Sequence, residues 1–259
     1  MPQELPTIFG ASVIGPLHIQ NGIPCQDACA FAALSSGYGV IAVADGLGSA
    51  SKSEMGAHLA VDTAVATAKE FLANQKFETA RPGDLVRETV IAARKALESK
   101  AGEAQWELRD LACTIIVVII LDDMMAVAHI GDGAVVAKTA DGLKLISGPE
   151  QSEYANEVVP LTSKEWEKSL RIVPQVSGAR GAIVFTDGCQ RAALLKSQND
   201  LKPYEGFFAP LFAYAEELND LKEGEEEIKT LLSSKKICAN SEDDKTLVMA
   251  ILKGKSARA

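Results

Sequence analysis

Four short acidic motifs stand at the edges of apolar runs: Val43-Ala44-Asp45-Gly46-Leu47-Gly48-Ser49, His129-Ile130-Gly131-Asp132-Gly133, Phe185-Thr186-Asp187-Gly188 and Asp243-Asp244-Lys245-Thr246. Three of them set an aspartate against glycine where a buried strand should end. Carboxylates delivered from several strand ends to one point are what a hard divalent cation needs, because Mg2+ and Mn2+ take oxygen ligands and keep several of their waters. The chemistry indicated is a carboxylate-lined metal site.

The bulk properties suit a soluble globular chain. Its 259 residues suffice for a sizeable core, 47% are apolar and 24% charged, and the formal net charge is −9. That balance argues against a broad nucleic-acid-binding face. The opening Met1-Pro2-Gln3-Glu4-Leu5-Pro6 lacks a basic segment followed by an apolar stretch, so no signal peptide is expected. The strongest apolar run, Ala112 to Leu121, is too short to span a bilayer. Five cysteines (Cys25, Cys29, Cys113, Cys189 and Cys238) without a Cys-x-x-Cys pair read as reduced structural thiols in a cytoplasmic protein.

Strands and helices that would position the carboxylates come in separate blocks. Ala28 to Leu34 and Tyr38 to Ala44 read as a hairpin turned by Ser35-Ser36-Gly37. Met55, Leu59, Val61, Ala64, Val65, Ala68 and Leu72 recur at helical spacing. Leu85 to Ala101 repeats that pattern behind the break at Pro82-Gly83-Asp84. Cys113 to Leu121, Met125 to Ile130 and Ala134 to Lys138 are β-branched runs, and the turns Asp122-Asp123 and Gly131-Asp132-Gly133 predict a meander. A strand at Leu143 to Ser147 follows the Ala140-Asp141-Gly142 turn.

The polar, proline-bearing stretch from Gly148 to Val176 predicts a loop-rich excursion with a short helix near Ser163 to Ser169. Gly181 to Thr186 returns to the sheet, Leu211 to Leu232 forms one or two charged helices, and Thr246 to Leu252 is a last strand before a basic tail at Lys253 to Ala259. Such grouping indicates an α+β fold with antiparallel sheets. Strands apolar on both faces, such as Thr114 to Leu121, need two sheets packed together with helices outside. No internal repeat or linker divides residues 1–259, which read as a single domain.

The ordered set Gln26-Asp27, Asp45-Gly46 with Gly48-Ser49, Gly131-Asp132-Gly133, Thr186-Asp187-Gly188 and Asp243-Asp244-Lys245-Thr246 resembles the metal-dependent serine/threonine protein phosphatases of the protein phosphatase 2C family. It is most similar to the short bacterial branch whose first motif reads Pro-Cys-Gln-Asp, here Pro24 to Asp27. The likeness runs from about Gly10 to Leu252. It implies a four-layer α-β-β-α sandwich with two central antiparallel sheets and two or three Mn2+ or Mg2+ ions at one end. By the same resemblance Asp45 bridges two metals with the Gly46 carbonyl as a further ligand, and Asp187 and Asp243 complete the first ion's protein ligands. Asp132 shares a third ion with Asp187. Asp45, Asp187 and Asp243 are thus the candidate catalytic residues. His18, Gln26, Asp27 and Asp244 are candidates for contacting phosphate or supporting the ligands. Water held between two cations is deprotonated near neutral pH and attacks phosphorus in line, and the cations offset phosphoryl charge. Implied partners are phosphorylated proteins and a Ser/Thr kinase, with no nucleic acid or membrane, and the oligomeric state is left open. The excursion at about 148–176 would be a flap, with Tyr154 and Trp166 as candidate substrate contacts or local anchors.

Departures from the family pattern keep a second function in view. Gln26 stands where many members have a metal-contacting glutamate, and Leu47 where many have a histidine that protonates the leaving alcohol. Ile19 to Pro24 lacks the arginine that grips phosphate in some members, which leaves His18 as the nearest candidate. The alternative is a pseudophosphatase that binds phosphoproteins or scaffolds signalling. A haloacid-dehalogenase-type phosphatase needs an aspartate at position 47, and a nucleotide-binding enzyme needs a Gly-Lys-Ser/Thr loop. Neither is present. Elsewhere, Asp122-Asp123 and Asp141-Gly142 read as turns and His129 as a satisfied core histidine. His58 reads as partly exposed, Glu216, Glu217 and Glu223 to Glu227 as a solvated face, and Lys245 as facing solvent or pairing with a carboxylate.

Overall fold

The computed structural model describes residues 5–34, 37–73, 81–149, 158–197 and 200–252. Ser35, Ser36, Tyr154 and the tail from Lys253 lie outside them. The chain opens with β1 (Thr7–Val13), α1 (Pro16–Asn21), β2 (Ala28–Ala33), β3 (Tyr38–Ala44), α2 (Ser53–Ala73) and α3 (Pro82–Ala104). Next come β4 (Ile115–Leu121), β5 (Met124–Ile130), β6 (Ala134–Thr139), β7 (Gly142–Ser147), α4 (Trp166–Ser169) and β8 (Arg171–Ser177). β9 (Ala179–Phe185), α5 (Gln190–Ala193), β10 (Leu194–Ser197), β11 (Asp200–Pro203), α6 (Glu205–Glu217), α7 (Leu221–Leu232), α8 (Lys235–Cys238) and β12 (Lys245–Ile251) complete it.

Two five-stranded antiparallel sheets, ordered β1-β12-β9-β6-β7 and β2-β3-β4-β5-β8, lie face to face. The two-residue period of each strand divides its apolar side chains between two cores. On β4, Ile115, Val117 and Ile119 join the core under α2 and α3, whereas Ile116, Val118 and Ile120 fill the space between the sheets. On β12, Leu247, Met249 and Ile251 face α6 and α7, and Val248 and Ala250 point to the middle. Burial on both faces explains why these strands are apolar throughout. The α2 stripe is largely alanine (Ala57, Ala60, Ala64 and Ala68), which seats that helix close to the sheet; Met55, counted with the apolar positions, faces solvent. The result is the four-layer α-β-β-α sandwich.

Two local readings need correction. β4, β5 and β6 do not form one meander: β4 and β5 pair, but β6 pairs with β7 and β9 in the opposite sheet. Gly131-Asp132-Gly133 is therefore the crossing between sheets, and Gly131 takes a φ of +113°, which a side chain would resist. The excursion also ends earlier than its polar composition suggests, because Arg171–Ser177 is an edge strand on β5. Pro174 fits there: the register shifts between Met125 and Val127, and a bulge at an edge tolerates a residue with no N–H. Trp166 packs with Leu170 and Ile172 against the α2–α3 core.

Candidate metal centre

Antiparallel pairing brings all the motifs to one end of the sandwich. The register Ala28↔Ala44, Ile115↔Ile130, Ala134↔Phe185, Phe185↔Leu247 and Val13↔Lys245 aligns the last residues of β1, β3, β5 and β9 with the first of β2, β4, β6 and β12. Asp45, Asp132, Asp187 and Asp243 all emerge there, each one or two residues outside a strand.

Asp45 is pinned by its backbone. Its N–H donates to Thr114 Oγ1 at 2.9 Å, and the Thr114 N–H returns to the Asp45 carbonyl at 2.8 Å. Leu47 N–H reaches the Ala112 carbonyl at 3.0 Å, and these bonds bracket Gly46, whose own carbonyl takes no part in them. A Cβ at Gly46 would lie 2.8 Å from the Gln26 carbonyl oxygen and from the Ser53 backbone, so only glycine allows this approach. Burial, then repulsion from Asp27, Asp187, Asp243 and Asp132, pushes the Asp45 carboxyl well above its ordinary range. Asp187 shares a hydrogen bond with it, carboxyl to carboxyl, and is pushed up to about 6 by burial and by Asp132 and Asp243. Asp132 rises too, chiefly through burial, although the Arg171 charge opposes this. Among the described residues, no backbone N–H or alcohol hydroxyl reaches the Asp45 carboxylate, whose one hydrogen bond is the shared one with Asp187. Such a set, ionised together, requires an external cation, and its all-oxygen donors fit Mg2+ or Mn2+.

Behind the cluster, two further aspartates are fully engaged. Asp244, 2% exposed, accepts from the Gly15 N–H at 2.7 Å, the Gln26 N–H at 2.6 Å and His18 Nδ1 at 2.9 Å. Its own N–H caps Asp243 Oδ1 at 2.8 Å. His18, Asp243 and Asp244 bring one possible ligand atom each to within 4.8 Å of one another. Asp27, also 2% exposed, accepts from Thr186 Oγ1 at 2.7 Å and Thr246 Oγ1 at 2.8 Å. Burial still lifts it to about 8, with those hydroxyls pulling the other way.

Some supporting residues have no role in the sequence reading, although Thr186 and Thr246 stand inside its motifs. Thr114, Thr186, Thr246 and Ser12, whose hydroxyl lies 2.7 Å from Thr246 Oγ1, are short polar residues at strand ends, a position too common to signal anything. Arg171 donates to the Gly131 carbonyl at 2.6 Å, and Gln190 Nε2 to the Asp132 carbonyl, so the crossing is held from both sides. Lys245 is a correction: it is fully buried, and its ammonium meets the Asp243 backbone carbonyl at 2.5 Å rather than solvent or a carboxylate. His129 is buried with Nδ1 on Ser147 Oγ at 2.7 Å, but its Nε2 has no partner among the described residues. Burial, then the Arg171 charge, holds that imidazole well below its usual range. His58 is exposed. All five cysteines are free thiols.

A cleft of about 710 Å3 opens beside the carboxylates, with Asp187, Asp243, Gln190, Arg191 and Leu17 on its walls. Among the described residues, no helix is long and apolar enough to cross a membrane.

The family model for protein phosphatase 2C matches residues 14–233. The chain is 35% identical over 250 residues to serine/threonine-protein phosphatase 3 of Escherichia coli (strain K12), spanning 93% of this chain and 96% of that protein. The chain therefore belongs to the protein phosphatase 2C family, and it is an enzyme of the phosphatase class. Its fold is shared with the serine/threonine phosphatase Stp1 of Staphylococcus aureus, at 13% identity and a TM-score of 0.62, covering 98% of this chain and 97% of that one. The catalytic domain of PstP, solved in complex with two manganese ions, matches with 16% identity and a TM-score of 0.59 over 95% of this chain and 98% of its own.

Proposed function

We propose that this protein is a metal-dependent phosphatase that hydrolyses phosphoserine and phosphothreonine in proteins, with Mn2+ or Mg2+ held by Asp45, Asp187 and Asp243. Asp132 and the Gly46 carbonyl would complete the ligand set. The observation that carries this reading is the convergence of four carboxylates from separate strand ends, each raised by burial or by the others' charge or close beside those that are. When bound, such cations supply an activated water and offset the charge on the phosphoryl oxygens. The chain's own part is to hold the ligands at fixed positions. Thr114 orients Asp45, Asp244 ties α1 and the Gln26 segment to Asp243, and Asp27 locks β9 to β12 through two threonine hydroxyls. The manganese in the PstP complex and the activity named for the Escherichia coli relative support the same reading.

Residues 1–259 act as one catalytic domain on this account, and the stretch at about 148–176 serves as a flap. Its last part, β8, is fixed at the sheet edge beside β5, with Arg171 on the Gly131 carbonyl next to Asp132, so the flap would be the part before that strand. The physiological partners would be phosphoproteins and the Ser/Thr kinase that makes them. One observation favours a second reading, a pseudophosphatase scaffold: Gln26 and Leu47 replace a ligand and an acid used by other members. Phosphate release from p-nitrophenyl phosphate and from a phosphopeptide, with Mn2+ and with chelator, separates the two. Metal-dependent release that disappears in Asp45→Asn supports the enzyme, and no release under any metal supports the scaffold.

A further inference from the structure

We propose that the enzyme reads an apolar side chain of its phosphopeptide substrate in a pocket adjoining the metal centre, with Arg191 at the junction. This rests on the phosphoprotein phosphatase reading above. Beyond the 710 Å3 cleft lies a second hollow of about 400 Å3, walled by Leu195, Tyr204, Phe207, Pro210 and Ile237. Arg191 and Asn240 line both, so the apolar hollow adjoins the cleft that holds Asp187 and Asp243.

That adjacency points to the occupant. A substrate whose phosphoryl group sits at the carboxylates leaves the cleft past this hollow, and the part that leaves is its own polypeptide chain. Leu195 and Tyr204 are 53% and 45% exposed, so the pocket presents apolar area that a substrate side chain would cover. Pro210 lies inside α6 and has no N–H for the Gly206 carbonyl four residues earlier. Gly206 and Pro210 both line the pocket. Arg191 is exposed and is the one Lys or Arg among the described residues lining the first cleft. Its planar guanidinium suits the carbonyl and acidic oxygens of a peptide passing between the two hollows.

The test is a peptide series carrying a non-hydrolysable phosphonate in place of phosphoserine, in which one leucine is moved through the flanking positions of a Gly/Ser background. Affinity is measured by fluorescence anisotropy with Mn2+ present. Leucine at one fixed spacing should tighten binding by about tenfold, the gain expected from covering most of an apolar side chain. Leu195→Asp should erase that gain, and Arg191→Ala should weaken every peptide in the series. Affinities that agree to within about twofold across the series, or a leucine preference unchanged in Leu195→Asp, would overturn the proposal. So would a dimer that forms with rising concentration and dissolves in Leu195→Asp, since the pocket would then belong to a second copy of the chain. Hydrolysis of p-nitrophenyl phosphate, too small to extend into the apolar hollow, tests the phosphatase reading separately.

Discussion

Two sets of aspartates occupy the same end of the sandwich and live in opposite surroundings. Asp27 and Asp244 are each 2% exposed, and donors from distant parts of the chain converge on them: two threonine hydroxyls on one, two backbone N–H groups and a histidine ring on the other. Asp45, Asp132 and Asp187 face mainly one another, with burial and repulsion between carboxylates raising their carboxyls, and beyond the Arg171 charge near Asp132 they have local backbone donors or a neighbouring carboxyl for company. The contrast shows how one residue type serves two purposes. Carboxylates that the chain satisfies internally fix the architecture, and those it leaves unsatisfied are the ligands proposed for a cation from outside.

Breaking the unsatisfied set should have the largest effect. Asp45→Asn removes charge from the middle of the cluster and should cut metal-dependent hydrolysis by about a thousandfold or more while the protein stays folded, as followed by phosphate release and circular dichroism. The next test uses pH in the presence of chelator. Asp187 at about 6 and Asp27 at about 8 both lie above the ordinary aspartate value, so the native state binds protons that the unfolded chain has released. Their contribution is complete below about pH 4 and is lost as pH rises towards 8. Denaturant midpoints of the metal-free protein should therefore fall across that window, less steeply in Asp27→Asn, and saturating Mn2+ should flatten the decline because it binds the deprotonated ligands.

Within the satisfied set, Asp244→Ala strands several donors at once and should destabilise by about 2–4 kcal/mol in urea unfolding, with Mn2+ affinity down by about tenfold or more in calorimetry. Thr186→Val removes one of the two hydroxyls on buried Asp27 and should cost about 1–3 kcal/mol in the same assay. The smallest change is expected at Lys245. Methionine there keeps the length of a fully buried side chain and gives up a single bond to the Asp243 carbonyl. Lys245→Met should shift stability by about 1 kcal/mol or less in either direction.

The unsatisfied set was legible in the sequence because aspartate beside glycine at the end of an apolar run is both a turn signal and a ligand signal. The satisfied set was half legible. Asp27, Asp244, Thr186 and Thr246 belong to the quoted motifs, but the meeting of both threonines at Asp27, and the parts of Ser12 and Thr114, have no pattern until strands from distant parts of the chain are side by side. The fold shows the same division. Strands with two buried faces announced themselves, as did the edge strands β2 and β7 beside clear turns, whereas the edge strands β1 and β8 did not. Pro174 and the half-exposed pattern of β8 look like loop until β5 is beside them. The crossing at Gly131-Asp132-Gly133 looked like a hairpin turn because a tight glycine turn has the same local chemistry whichever sheet receives the next strand.

Calorimetric titration of Mn2+ into chelator-stripped protein, set beside phosphate release at each point, tests the division between the two sets most directly. The account predicts that binding and hydrolysis rise together in the unmodified protein and are both lost in Asp45→Asn. Undiminished Mn2+ binding and phosphate release in Asp45→Asn would contradict it.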